Sequence, residues 1–451
     1  MRMLLICIAG LVAGAVCAEE GNRGVMAAED ALTAGHVIIP GDGRVSVSLD
    51  RKNATYRCGE AATFSVAGAE KVSWTLDNYG ARVLDRGDAD LVKDRPLEVK
   101  GTMDRPGFLR LTVRDAGGKI LRRYSAAFEP QRIRTAVPKP KDFDAFWNGA
   151  MARLERKVPL DPRVERVPEF STEVADVYRV SFATFGGRVY GSLTVPRGAK
   201  GRRYPVRVGV PGAGPGFIMP RGKRLNGSSI ELVMSVHGFP IPDSEEERTR
   251  LYEAQEKACR QVHGPSNARA YPVKGLTQTR EDVHFYPIIL GINRAVDWVA
   301  KRPDVDPGRF TYSGASQGGG FGLYLCALNR HFTRAYMGVP ALTDLLGCKA
   351  DGRQSGWPRI LEYETQKDPA RLAKIEKNAP YFDAAYFAER ITIPVRLSVG
   401  FIDESCAPHA VCAAYNAIPA ADKRLYHGIG GHHGSPNAPA NEINAFLNKA
   451  P

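Results

Sequence analysis

The chain has 451 residues, 43% of them hydrophobic, and a net charge of +13 from 62 Lys and Arg against 49 Asp and Glu. That length exceeds one ordinary domain and suits two, with ample apolar residues for a sizeable core. No arginine-rich run interleaved with aromatics accompanies the charge, so no nucleic-acid partner is expected; the surplus reads as a basic solvated surface, or one favouring acidic polysaccharides or an anionic cell surface.

The first residues, MRMLLICIAGLVAGAVCAEEG, combine one arginine, an apolar stretch from Met3 to about Val16 and small residues before Glu19 and Glu20. This is the pattern of a signal peptide over residues 1–18, with Val16-Cys17-Ala18 at the cleavage site. Cys17 raises a lipoprotein alternative, which Val16 before it disfavours, because a lipidated cysteine normally follows a small residue. No later stretch is apolar enough to span a bilayer, so an exported, periplasmic or secreted protein is expected. Beyond the leader stand Cys58, Cys259, Cys326, Cys348, Cys406 and Cys412. Their spacing contains neither a C-x-x-C pair nor a zinc-type Cys/His cluster, so no metal site is expected. Cys348 and Cys406 follow what should be adjacent strand ends and could pair, free thiols being the simpler state.

Over residues 36–132 short alternating runs (RVSVSLD, ATFSVAG, VSWTLD, PLEVKG, FLRLTVRD) are broken by turn residues (GDG, DNYG, DAGG). Period-2 alternation at this spacing predicts a small all-β sandwich of immunoglobulin-like size. It carries no titratable cluster; its plain role is packing, its sharper one binding glycan or shaping a cleft.

From residue 137 to 451 the texture becomes α/β. Prolines in TAVPKPKDFDAFW mark a linker, and Asp142 or Asp144 is placed to cap a helix with Phe146, Trp147, Met151 and Leu154 on its apolar face. DVYRVSFAT and RVYGSLTVP, joined by FGG, form a hairpin pattern, and YPVRVGV and ELVMSV read as buried strands. A polar, Gly/Pro-bearing insertion runs from IPDSEEERTR to KGLTQTR. The next stretch sets Ile288, Ile292, Val296 and Val299 on one helical face. RFTYSG is a short strand running into Ala315-Ser316-Gln317 and a helix from about Gly318 to Asn329. TRAYMGVPALTD and IPVRLSVGFIDESCAP each give a strand ending in a polar loop. Strands alternating with helices predict a mainly parallel, doubly wound sheet covered on both faces, whose reactive groups gather at the carboxyl ends of the strands.

Gly314-Ala315-Ser316-Gln317-Gly318 fits G-x-S-x-G, a weak signal alone in a chain with 46 glycines. A serine hydroxyl needs a histidine to take its proton and an acid to orient that histidine, in the chain order Ser, Asp or Glu, His. Asp403 follows the strand PVRLSVG, and His432 follows the strand-like KRLYHGIG, so Ser316, Asp403 and His432 are the expected triad. His433 is the remaining rival for the base; His409 and His427 read as structural. The oxyanion hole is assigned to the N–H groups of Gln317 and of Ala213, in the loop after the first parallel strand, each worth roughly 3 kcal/mol in the transition state. His237-Gly238 reads as cleft lining.

SGASQGGGFGLYLCAL after RPDVDPGRF resembles the nucleophile elbow of the acetyl xylan esterase and cephalosporin C deacetylase family, the group-seven carbohydrate esterases, where the motif reads G-x-S-Q-G-G. PKDFDAFW, TREDVHFYPIILGINRAVDWVA and YFDAAYFAERITIPVRLSVGFIDESCAP agree with it. The resemblance covers about residues 137 to 450. It implies an α/β-hydrolase that removes acetyl groups from O-acetylated sugars without cofactor, with Ser316, Asp403 and His432 in the catalytic roles and Gln317 and Ala213 at the oxyanion. Pro211-Gly212-Ala213 stands where the family usually has His-Gly-Tyr, VHGFP replaces an R-G-Q-G-like stretch, and the N-terminal β region is absent from compact members, which puts their hexamer in doubt here. The alternatives are a serine peptidase of the prolyl-oligopeptidase kind, though the N-terminal region lacks blade-length repeats, and a relic glycan-binding protein.

Overall fold

The computed structural model describes residues 44–198, 201–220, 227–264, 269–435 and 437–449. The expected signal peptide, its cleavage site and residues 36–43 of the expected β region lie outside the described residues.

From residue 44 to 128 the described residues form two sheets. β1 (Val45–Leu49), β3 (Ala62–Gly68) and β6 (Leu97–Gly101) form one sheet, in the order β1-β3-β6. β2 (Thr55–Tyr56), β8 (Ile120–Phe128), β7 (Gly107–Asp115), β4 (Lys71–Asp77) and β5 (Val83–Asp90) form a second, in that order. Alternation sends Val45, Phe64, Val66 and Val99 of the first sheet and Val72, Leu76, Leu111 and Val113 of the second into one buried cluster. β5 and β8 were not legible from alternation: β5 (VLDRGDAD) is nearly all exposed, and β8 has two arginines in its first half.

The rest is mixed α/β around a sheet of nine strands among the described residues. They are β9 (Arg163–Arg166), β10 (Ala175–Thr184), β11 (Gly187–Pro196), β12 (Tyr204–Gly209), β13 (Ile230–Met234), β14 (Val305–Ala315), β15 (Arg334–Gly338), β16 (Val395–Gly400) and β17 (Lys423–Gly428). Their order is β17-β16-β15-β14-β12-β13-β11-β10-β9. From β17 to β13 every pairing is parallel; β13/β11, β11/β10 and β10/β9 are antiparallel. The hairpin joined by FGG is β10/β11, and the apolar face of helix Phe285–Ala300 packs on it, with Ile288, Ile292, Val296 and Val299 buried.

Two local expectations need correction. Asp142 precedes helix Phe143–Lys157 but makes no side-chain cap; its carboxylate is drawn away to the Tyr381 hydroxyl and Arg280. The inserted segment is not merely polar loop, because Glu245–His263 is a 19-residue helix whose Ser244 hydroxyl caps the Glu247 N–H at 3.1 Å. The signal was present as Ser-Glu-Glu-Glu, a capping box followed by an acidic first turn.

Candidate active site

Four loops leave the carboxyl ends of parallel strands on one edge of the sheet. The loop after β12 carries Pro211–Gly214, β14 runs into Ser316, β16 leads to Asp403, and β17 leads to the His432-His433 pair. Ser316 sits at φ 58°, ψ −124°, between the end of β14 and helix Gln317–Leu328. A non-glycine residue adopts this backbone only when its surroundings force it. The force is visible: the Ser316 N–H donates to the Gly338 carbonyl at 2.9 Å, and its own carbonyl accepts from the N–H groups of Ala341 at 2.9 Å and Gly320 at 3.0 Å. The turn is too tight for side chains behind it. An added Cβ at Gly318 would stand 2.1 Å from the Val210 carbonyl oxygen, and one at Gly320 would stand 2.4 Å from that of Ala341.

The histidine that meets the serine is His433. Its Nε2 lies 3.0 Å from the Ser316 hydroxyl, and its Nδ1 lies 2.9 and 3.2 Å from the two carboxylate oxygens of Asp403. The expectation of His432 is therefore corrected. The His432 main chain is pinned, with its N–H on the Ser435 hydroxyl at 2.9 Å and its carbonyl taking the Asn437 amide at 3.1 Å; its ring turns outward and accepts the Gly434 N–H at 3.0 Å. Neighbouring side chains in this turn leave the backbone in different directions, so only one of the pair reaches the serine.

Asp403 is fully buried, and one of its oxygens also accepts the N–H groups of Ser405 and Cys406, each at 2.8 Å. Burial by itself disfavours the imidazolium of His433, but the hydrogen bond and negative charge of Asp403 outweigh it and hold the ring above its ordinary pKa. Cys406 is a free, buried thiol pushed far up by burial, beside both Asp403 and Ser316; Cys348 is free as well, so the two do not pair. Asp403, Cys406 and His433 bring one ligand atom each within 4.8 Å of one another, a spacing a metal ion could use. His433 Nδ1 is already engaged by the carboxylate, and burial keeps the thiol protonated, so these donors serve the hydrogen-bonded series.

Gln317 directly follows Ser316, and the loop that carries Ala213 approaches the serine at Gly212. As the first residue of its helix, Gln317 has no intrahelical acceptor for its N–H. Across from it, Pro211 has no N–H to offer; an added Cβ at Gly212 would lie 4.0 Å from the Ser316 Cβ, and half-buried Ala213 follows. What supports this loop lies far from it along the chain and carries no local signal. The Tyr271 hydroxyl donates to the Gln317 side-chain oxygen at 2.6 Å, and the Gln317 amide nitrogen faces the carbonyls of Pro211 and Gly212 at 3.4 and 3.5 Å. His237 does not line the cleft. It is buried behind the loop, with Nε2 2.9 Å from the Gly214 carbonyl and Nδ1 2.5 Å from the side-chain oxygen of Gln255. Burial pushes its pKa down to about 4, so the ring is neutral at ordinary pH. Gln255 and Tyr271 both belong to the inserted segment, which is thus the backstop of the Pro211–Gly214 loop.

A serine, a histidine and a buried carboxylate stand in series on the carboxyl edge of a mostly parallel sheet, the arrangement by which serine hydrolases activate their nucleophile. The particular family follows from comparison with known proteins. The family model for acetyl xylan esterase (AXE1) matches residues 129–450, and the chain belongs to that family, a family of carboxylic ester hydrolases. A curated relative, acetyl esterase Axe7A of Xylanibacter ruminicola, is 28% identical over 350 residues, covering 77% of this chain and 75% of the relative. Among solved structures, acetyl xylan esterase 1 from Thermoanaerobacterium sp. JW/SL YS485 superposes with a TM-score of 0.57 at 21% identity, covering 71% of this chain and 96% of that one. Acetyl xylan esterase from Paenibacillus sp. R4 gives 0.58 at 22% identity, covering 72% and 99%. At these identities the two structures speak to the fold, a mixed α/β architecture with a large, mostly parallel sheet.

Proposed function

We propose that the protein is an exported serine esterase that removes acetyl groups from O-acetylated carbohydrates, such as acetylated xylan or xylo-oligosaccharides, through an acyl-enzyme on Ser316. The observation that carries this reading is the Ser316–His433–Asp403 series in a chain of the acetyl xylan esterase family. His433 Nε2 takes the Ser316 proton as the hydroxyl oxygen attacks the acetyl carbonyl, while Asp403 holds the Nδ1–H tautomer. The developing oxyanion is held by the N–H groups of Gln317 and Ala213. The imidazolium then protonates the departing sugar oxygen. Water, deprotonated by His433, attacks the acetyl-serine, and collapse returns the proton to Ser316 and releases acetate.

Export rests on the N-terminal sequence alone. We further propose that residues 36–132 form an immunoglobulin-like sandwich and residues 137–451 the catalytic domain, on the support of two N-terminal sheets sharing one buried cluster. The test is acetate release from a chromogenic acetate ester and from acetylated xylo-oligosaccharides by wild type and Ser316→Ala. Loss of both activities in the variant is expected. Equal rates would remove Ser316 from its role, and hydrolysis of aminoacyl amides in preference to acetyl esters would favour a peptidase.

A further inference from the structure

Beside the catalytic histidine lies a cleft of about 510 Å³, one wall of which is not catalytic-domain sequence at all. That volume is in the range of about 300–1,000 Å³ typical of ligand sites. One side is formed by Glu404, Ser405 and His433 next to the serine; the other is β8 of the N-terminal region, which presents Arg122, Arg123 and Tyr124. β8 is suited to this position because β2 covers only its far end, at Ala127 and Phe128, and among the described strands its outer edge from Ile120 to Ser125 is unpaired. Such an edge offers main-chain donors and acceptors to a ligand rich in hydroxyl groups.

The charges of the wall are uneven. Arg123 is paired with Glu404 at 2.6 Å, and Arg110 approaches the same carboxylate at 3.6 Å, so Glu404 already answers two guanidinium groups. Arg122 is half-buried and has no carboxylate partner among the described residues. Its charge acts on the neighbouring Tyr124 phenol, opposing the upward push that burial gives that hydroxyl. No carboxylate among the described residues occupies this guanidinium, and its planar fork matches a carboxylate in bidentate fashion.

We propose that the cleft between β8 and the Asp403–His433 loops is a sugar subsite in which Arg122 pairs with the carboxylate of an acidic, uronate-type residue close to the acetylated sugar. The N-terminal β region then selects substrate as well as packing against the catalytic part. This rests on the acetyl esterase reading above, and the test separates the two.

The probes are two O-acetylated oligosaccharides of equal length, one bearing a single uronosyl branch and one neutral, with acetate release measured for wild type, Arg122→Ala and Arg122→Lys. The readout is the acidic-to-neutral ratio of kcat/KM, which a general loss of folding does not move. Wild type is expected to favour the acidic probe by about fivefold, the value of a partly exposed ion pair near 1 kcal/mol. Arg122→Ala should bring the ratio to about one and Arg122→Lys should keep part of it. Raising salt from about 0.05 to 0.5 M should erode the preference in wild type and in Arg122→Lys, and leave the Arg122→Ala ratio unchanged. An identical ratio in wild type and Arg122→Ala overturns the subsite while leaving the esterase reading in place. Turnover of a chromogenic acetate with no acetate released from either oligosaccharide overturns the carbohydrate reading, and the subsite with it.

Discussion

The phenol of Tyr79, in the N-terminal β region, donates a 2.8 Å hydrogen bond to the main-chain carbonyl of Asp403, 324 residues away. Around this bond Phe108 meets Phe401 edge-on at 5.0 Å, and Arg110, held by Asp77, covers the Tyr79 ring at 4.6 Å. The Tyr79 carbonyl accepts the Gln354 N–H at 3.0 Å, and the Gln354 side chain in turn donates to the Glu404 carbonyl at 2.7 Å. The acid loop is therefore gripped from behind by a part of the chain with no catalytic group of its own. Tyr79→Phe keeps the ring and leaves the Asp403 carbonyl short of a partner, which should cost about 1 kcal/mol in denaturant unfolding and less than about tenfold in kcat. Tyr79→Ala also removes a buried ring and should cost about 3–5 kcal/mol. Equal unfolding midpoints for wild type and Tyr79→Ala would show that the grip contributes nothing.

A second prediction concerns the backstop of the Pro211–Gly214 loop. Tyr271→Phe removes the donor to the Gln317 side chain without opening a cavity. A group that positions the oxyanion donors should affect the transition state more than substrate binding, so kcat should fall by about tenfold with KM changed by less than about twofold. A rise in KM at constant kcat would mean that Tyr271 only shapes the binding cleft.

The elbow sets a steric prediction. In Gly318→Ala the new methyl must displace the Val210 carbonyl, 2.1 Å from its position, and with it the loop facing Ser316. A shift of about 1 Å in catalytic geometry is enough for roughly a hundredfold loss of kcat. Acetyl-ester kinetics on a soluble Gly318→Ala variant would check this, and wild-type kcat would rule out the close approach.

The pH profile follows from His433. The base must be neutral to accept the serine proton, while the Asp403 hydrogen bond and charge favour the protonated ring and raise its pKa. Activity is thus lost as pH falls through that raised value, and the acid limb of kcat/KM should lie above the ordinary imidazole value of about 6.5. Asp403→Asn should lower kcat by about 10⁴-fold and move the remaining limb down. A wild-type limb below that value would mean that Asp403 does not act on the base as described.

Much of this site was legible because its signals are local. Ser316, Gln317 and the glycines share one strand-to-helix turn, and Asp403 follows an apolar strand; each announces itself through its neighbours. His432 and His433 are adjacent, and the choice between them depends on how Ser435 and Asn437 fix the turn after β17, a tertiary matter that spacing does not encode. The same holds for Tyr79, Tyr271 and His237, whose roles depend on partners far along the chain. β8 escaped because Arg122 and Arg123 interrupt the alternation; those residues face the cleft. Helix Glu245–His263 is different in kind: its capping signal was local, and the polar composition of the segment masked it.

The most direct test of the account compares His433→Ala with His432→Ala on a chromogenic acetate ester. With His433 as the base, His433→Ala should lose about 10⁴-fold or more in kcat, whereas His432→Ala, which loses only a bond to the Gly434 N–H, should keep at least about a tenth of it. A His433→Ala enzyme near wild-type activity, or a His432→Ala enzyme as inactive as Ser316→Ala, would contradict the account.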